Sequence, residues 1–361
     1  MKLLKTFKRL VPLCFISETS VLCYKYGNLY KLNLSNYLTE KVLSFPFSFK
    51  YNILSRSKLL TRVLRIDARY GIKIIDDICL IVRDGIIHEI ALEKKKISKG
   101  FSSFKGKRPL NIVPIDIRGF DKGFYFGEYY SNPEMLPVAI YKREGMDVWN
   151  KVFEFGYGEI NHIHNLIPDE NNNCVWILAG DFGKAASIWK AQNNFEKIEK
   201  ILFGKQEYRS CVAWPYYSNI VYATDTPFQR NYLCVLEKEE AFNMKKIEEL
   251  NGSVIYYCCV KDNLIFSSVV ENNGGEPFVK KLFLRKEGSG ILDRNCVIYK
   301  YSKRNSLQIL HKEMKDVYPF FLFQFGAIIF PQGINNTDYL ITYNIATKRN
   351  DLTLCIYNIN D

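Results

Sequence analysis

The sequence predicts an all-β protein, a β-propeller of about six four-stranded blades, with seven also compatible. Three observations carry this. A strand–turn–strand–acid plan recurs with acids at Glu128, Asp181, Asp225 and Glu271, at intervals of 53, 44 and 46 residues that suit one blade per repeat. Apolar spacing of 3.6 residues, the mark of helical repeats, is nearly missing. Phe and Tyr number 25 and 24, and aromatics reach 15% of the chain, which suits pleated, half-buried strands.

The elements follow in order. The start, MKLLKTFKRLVPLCFIS, imitates a secretion signal, but its apolar stretch 10–16 contains Pro12 and no small-residue cleavage site follows. It reads as a first strand. Residues 21–24 and 29–32 form a hairpin around Gly27-Asn28. Residues 45–65 are basic and partly helical. Runs at 72–75, 79–82 and 86–92 form further strands, with Asp84-Gly85 as a hairpin turn. Three hairpins then share the repeat plan: 162–167 with 174–179, 209–214 with 220–224, and 254–260 with 264–270. A second strand pair follows each. Residues 138–142 pair with 148–153, 186–190 with 195–201, and 232–236 with 244–247. Helical readings of 194–202 and 237–250 compete with the last two, and the repeat favours strands. Residues 281–284 read as a strand before an insertion, followed by 297–301 and 307–311. Strands at 325–330, 339–344 and 352–357 end the chain. The N- and C-terminal strands are expected to share a blade, making residues 1–361 one propeller without exposed sheet edges.

The net charge is +12, from 50 basic and 38 acidic residues, but the basic residues are scattered. The densest run, Glu93-Lys94-Lys95-Lys96, reads as a solvated loop, and no nucleic-acid motif accompanies it. Ten cysteines lie mostly inside apolar runs, with no CxxC pair, the placement of small buried hydrophobes in a reducing compartment. No run is long enough to span a membrane. A cytoplasmic location and no cofactor are expected.

Two segments resemble worn Asp boxes: IYKREGMDVWNKV, with Gly145 at the turn and Trp149 as aromatic plug, and SIWKAQNNFEKI, with Asn193-Asn194 and Phe195 in those roles. RGFDKGFYFGEYYSNP, INHIHNLIPDENNNCVWILAGD, YRSCVAWPYYSNIVYATDTP, SSVVE and FQFGAIIFPQG follow in order. Together they resemble a family of sialidase-like propeller proteins found in bacterial surface-polysaccharide gene clusters. The resemblance implies a sialidase-like propeller and a glycan context. It does not extend to a sialidase active site. Arg118 and Arg209 supply two of the three arginines such enzymes need, and the Phe/Tyr-Arg-Ile-Pro start is missing.

In an antiparallel hairpin the start of the first strand lies beside the end of the second. His162 and His164 are therefore expected beside Asp181, Arg209 beside Asp225, and Tyr257 beside Glu271, all at one mouth of the propeller, with Glu128 and Gln324 joining them. Such convergent polar groups suit a ligand pocket. His164 fits a general base or acid, and Asp181, Asp225 and Glu271 fit acid/base work on a glycosidic bond. Glu128, His162, Arg209, Tyr257, Gln324 and Arg118 are candidate substrate contacts, with an arginine suited to a carboxylate. The histidine pair also fits a structural hydrogen-bonded pair, and no third metal ligand is fixed by local spacing, so no metal is expected. The acids equally suit backbone capping at turns. An acidic sugar or glycan is the expected ligand, and a polysaccharide-assembly protein the alternative partner. The residues leave catalysis and non-catalytic binding both open.

Overall fold

Each blade opens on an apolar strand and closes on a charged one, and this gradient organises the chain. In the fourth blade the first strand, Ile163–Asp169, is almost wholly buried, while the fourth, Lys197–Phe203, has no buried residue and alternates between half-buried and exposed. In the fifth blade the contrast runs from Ser210–Pro215 to the exposed, charge-rich Met244–Leu250. Lys and Glu on an outer strand keep its unpaired edge from recruiting other chains.

The computed structural model describes residues 1–359 apart from 69, 217, 239–241, 274–276 and 303–305. It contains seven four-stranded antiparallel sheets, the blades of a β-propeller, so seven rather than six is the blade number. Gly274-Gly275, which read as a loop tip, lies outside the described residues. The chain divides into two compact units.

Unit 1 comprises residues 1–84, 88–98 and 251–361. Its first blade holds Val11–Ser17, Ser20–Lys25, Asn28–Asn33 and Thr39–Ser44. The start of the chain is thus two strands rather than one. Lys2–Lys8 precedes a break at Arg9, which has φ 65°, and pairs antiparallel with the C-terminal strand Thr353–Asn358. The terminal strands share a blade as expected. Residues 45–65 are partly helical, with α1 at Phe49–Asn52 and α2 at Lys58–Leu64. In the sixth blade, residues 281–284 are not a strand. α3 spans Phe278–Phe283, and the third strand is Asn295–Tyr301. Asp84 and Gly85 both have positive φ, the geometry of a type I′ turn, as their identities predict.

Unit 2 comprises residues 85–87 and 99–250. It holds the third blade (Val113–Ile115, Gly123–Gly127, Val138–Gly145, Val148–Phe155), the fourth and the fifth. Strand Cys174–Ala179 of the fourth blade is buried on both faces, so alternate residues feed two cores. Val175, Ile177 and Ala179 pack with third-blade residues Val138, Ile140 and Phe155. Cys174, Trp176 and Leu178 pack with fifth-blade residues Ala213, Ile220 and Tyr222. Trp149 and Phe195 are both buried, at the turns joining third and fourth strands. All ten cysteines are thiols and eight are buried; Cys258 is half-buried and Cys259 exposed. Among the described residues no helix is long and apolar enough to cross a membrane.

Candidate functional site

Neighbouring blades in unit 2 are tied near the start of a first strand, to the end of the third blade's second strand on one side and to the fifth blade's first strand on the other. Ile163 N–H donates to the Glu128 carbonyl and Asn165 Nδ2 donates to the Cys211 carbonyl. The fourth blade's first ladder is bulged. Ile163 pairs with Ala179 and Asn165 with Leu178, leaving His164 as the extra residue. The fifth blade repeats the device at Cys211, and the first and sixth at Leu13 and Ile255. Bulges re-aim a side chain at the end of a strand. Only the fourth blade places a histidine there, and only the fifth a cysteine.

The bulge turns His164 toward His162, with their Nε2 atoms 2.9 Å apart. Each Nδ1 meets a backbone carbonyl, His162 that of Tyr130 at 2.8 Å and His164 that of Ser210 at 2.9 Å. A carbonyl only accepts, so both Nδ1 atoms carry the proton and both Nε2 atoms face inward. Asp181 Oδ1 lies 3.4 Å from each Nε2. Arg209 reaches Asp181 Oδ1 through Nη2 at 3.1 Å and Asp225 Oδ2 through Nε at 3.4 Å. The Cys211 thiol donates to Asp225 Oδ2 at 3.2 Å. Asp225 is 2% exposed, and its Oδ1 has no hydrogen-bond partner among the described residues.

The Asp181 turn is held from several sides. Gly180 has φ +77°, its N–H donates to the His162 carbonyl, and an added Cβ would stand 1.7 Å from the Ala185 carbonyl oxygen. Asp181 N–H donates to Asn161 Oδ1, and Gln206 Nε2 donates to the Asp181 carbonyl. Burial alone would raise the Asp181 carboxyl. When no ion is bound and the imidazoles carry a proton on Nε2 as well, hydrogen bonds from His162 and His164, with the charges of His162 and Arg209, outweigh it and hold the group well below the usual carboxylate range. Burial, then the charge of Asp225, pushes the Cys211 thiol well up, so it stays protonated. Tyr129 lays its ring 4.5 Å from that of His162, and burial together with Asp181 pushes its phenol well up. Beside the cluster, Phe182 is 55% exposed, lies 6.0 Å from the Arg209 guanidinium and packs on Phe228.

The structure thus brings together His162, His164, Asp181, Arg209 and Asp225. Glu128 is turned away, since its carboxylate accepts from the backbone N–H groups of Lys105 and Ala139 and caps the third blade. Arg118 is exposed in the turn between Val113–Ile115 and Gly123–Gly127, at the opposite end of the strands. Tyr257, Glu271 and Gln324 belong to unit 1. Tyr257 is half-buried opposite Phe266, and Gln324 donates to the Arg62 carbonyl. Glu271 and Gln324 lie on the two segments joined by the Val270–Gly326 bridge. Cys211 was not among the expected site residues. Its signal was local: it stands two residues after Arg209, as His164 stands two after His162.

Fold and cluster define a seven-bladed β-propeller with a His–His–Asp–Arg–Asp group at the strand ends of adjacent blades, buried at the histidines and Asp225 and half-buried at Asp181 and Arg209. A scan of family models finds no match, and a search of curated proteins finds none either. Among solved structures the chain is similar to one in the mitotic checkpoint complex, at 8% identity and TM-score 0.56 over 99% of this chain and 95% of that one. It is also similar to an oligogalacturonate lyase from Vibrio parahaemolyticus, at 10% identity and TM-score 0.56 over 97% and 89%. An oligogalacturonate lyase in complex with manganese gives 9% identity and TM-score 0.53 over 98% and 90%. At such identities the likeness concerns the fold alone.

Proposed function

We propose that this propeller binds and acts on an acidic glycan at the His162–His164–Asp181–Arg209–Asp225 cluster. The observation that carries the reading is that largely buried acid–base groups adjoin an exposed aromatic pair, Phe182 and Phe228. Aromatic faces suit the apolar faces of sugar rings, while carboxylates suit sugar hydroxyls. His164 and Asp181 are the candidates for proton transfer. Two propellers of similar fold are oligogalacturonate lyases, proteins named for an acidic sugar polymer. The resemblance of sequence segments to sialidase-like proteins of polysaccharide gene clusters points the same way.

The test is turnover of uronate-containing oligosaccharides by wild type, His164→Ala and Asp181→Asn, with folding checked by circular dichroism. Either substitution lowers kcat by about 10²–10⁴-fold, the usual worth of a positioned acid or base. Wild-type turnover in both variants removes the cluster from the chemistry.

A second reading, a scaffold that docks a partner protein, is favoured by exposed Phe47, Phe49, Leu59 and Leu64 on and beside α1 and α2. Phe49→Ser with Leu59→Ser would abolish partner capture and leave glycan turnover unchanged.

A further inference from the structure

We propose that His162 Nε2, His164 Nε2 and Asp181 Oδ1 are three ligands of a divalent transition-metal ion, with Asp225 facing it from the fifth blade. As an account of how an acidic sugar is recognised this rests on the reading above, with His164 and Asp181 then acting through the ion rather than as proton carriers; as a metal site it stands on geometry alone.

The lone pairs of the two rings converge on one point. Both histidines spend their Nδ1–H on backbone carbonyls, of Tyr130 and Ser210. Each ring thus directs its Nε2 inward, where the two meet at 2.9 Å and share Asp181 Oδ1 at 3.4 Å. With the rings neutral, three lone-pair atoms so close repel one another unless protons or a metal ion lie among them. A histidine that binds metal through one nitrogen usually donates the other ring N–H to a carbonyl or carboxylate, which fixes its tautomer and orientation. Both histidines have that outer support.

The spacing of the three atoms also fits an ion in size. Ligands of a tetrahedral ion bound at about 2.0–2.1 Å stand about 3.3–3.4 Å apart, and adjacent ligands of an octahedral one about 2.8–3.1 Å. The three edges here, 2.9, 3.4 and 3.4 Å, span that range. A point equidistant from all three atoms in their plane is about 1.9 Å from each, so an ion at bonding distance sits just off the plane and keeps positions for a substrate oxygen. Two imidazoles and one carboxylate with open positions are a frequent catalytic set.

Asp225 points to an ion independently of the triad. Asp225 is 2% exposed and its Oδ1 has no hydrogen-bond partner among the described residues. A buried carboxylate oxygen left so is costly and calls for a ligand, water or ion. It lies in the same neighbourhood, since ligating atoms of His164, Cys211 and Asp225 fall within 4.8 Å of one another. His164, Cys211 and Asp225 are the weaker ligand set, because the Cys211 thiol is bonded to Asp225.

Charge explains what the ion does for an acidic sugar. Arg209 is shared between Asp181 and Asp225, so with neutral imidazoles the cluster has one more negative group than positive. A uronate carboxylate is repelled by that balance. A divalent ion reverses it and supplies the Lewis-acidic partner the carboxylate needs.

The experiment uses the full chain, stripped with chelator and then titrated with zinc chloride or manganese chloride in the absence of sugar. Isothermal titration should show one ion per chain, and metal should raise the Tm of wild type. Affinity should fall by about 100-fold or more in His164→Ala and in Asp181→Asn, and fall with decreasing pH because protons compete for the imidazoles. His162→Gln is the second variant should His164→Ala not fold. Absence of binding, or one-to-one binding that survives both substitutions, overturns the proposal. Metal binding with no glycan turnover sinks only the glycan reading, and turnover unaffected by chelator sinks only the metal.

Discussion

Asp181 is the residue on which the cluster turns, because one oxygen serves His162, His164 and Arg209 together. Its carboxyl is held below the usual carboxylate range, so the folded state gives up that proton more readily than the unfolded chain does. The stabilisation is complete above the unfolded value of about 3.9 and is lost as pH falls through the acid range. Urea midpoints of metal-stripped wild type and Asp181→Asn should therefore differ most at pH 5–7, and the gap should narrow steadily as pH falls below about 4. A gap that does not depend on pH would contradict this. A second residue-scale test concerns Asp169, whose side chain is 0% exposed. It accepts from Trp176 Nε1 at 2.9 Å and pairs with Lys238 Nζ at 2.6 Å. Removing the cation strands a buried carboxylate, so Lys238→Met should cost about 3–5 kcal/mol in denaturant unfolding. A loss below about 1 kcal/mol would place the pair with exposed ion pairs instead.

At the element scale, two hairpins that look alike in sequence diverge at a glycine. The third blade's second strand ends Gly127-Glu128 and the fourth's ends Gly180-Asp181. Glu128 N–H still donates to the Ala139 carbonyl, so the chain continues its ladder and the acid caps its own blade. Gly180 instead enters the left-handed region at φ +77°, and the next residue swings into the cluster. Identity alone does not carry that difference, so Glu128 and Asp181 read as equivalents. The three repeat hairpins were legible because each is an apolar run bounded by turn residues. The bulges that aim His164 and Cys211 were not, since one extra residue in a ladder leaves no mark on the run itself. Gly180→Ala tests the turn. A Cβ 1.7 Å from the Ala185 carbonyl oxygen, on a backbone that L-residues avoid, should cost at least about 2 kcal/mol. It should also weaken metal binding although no ligand is altered. Unchanged stability and affinity would mean the turn relaxes freely.

At the scale of the molecule, repetition made the propeller readable, and its ends set the number of blades. Lys2–Lys8, KLLKTFK, carries basic residues at several positions and is mostly exposed, so it merged with the signal-like run that follows. In the structure it is the outer strand of the last blade, paired along Thr353–Asn358, TLCIYN, which has no charged residue and is buried over its first five positions. Without its partner that strand is an unpaired, apolar, β-prone edge, the kind that recruits other chains. Deleting residues 1–8 should lower Tm and produce concentration-dependent growth in light scattering. A synthetic peptide of sequence KLLKTFK added in excess should suppress that growth, because it supplies the same ladder and a basic outer face. The cluster in unit 2 offers an internal comparison, since it draws no residue from the terminal blade. Truncated protein kept below its aggregation threshold should still bind one metal ion. If truncation leaves Tm and scattering unchanged, the terminal pairing contributes nothing to holding the last blade.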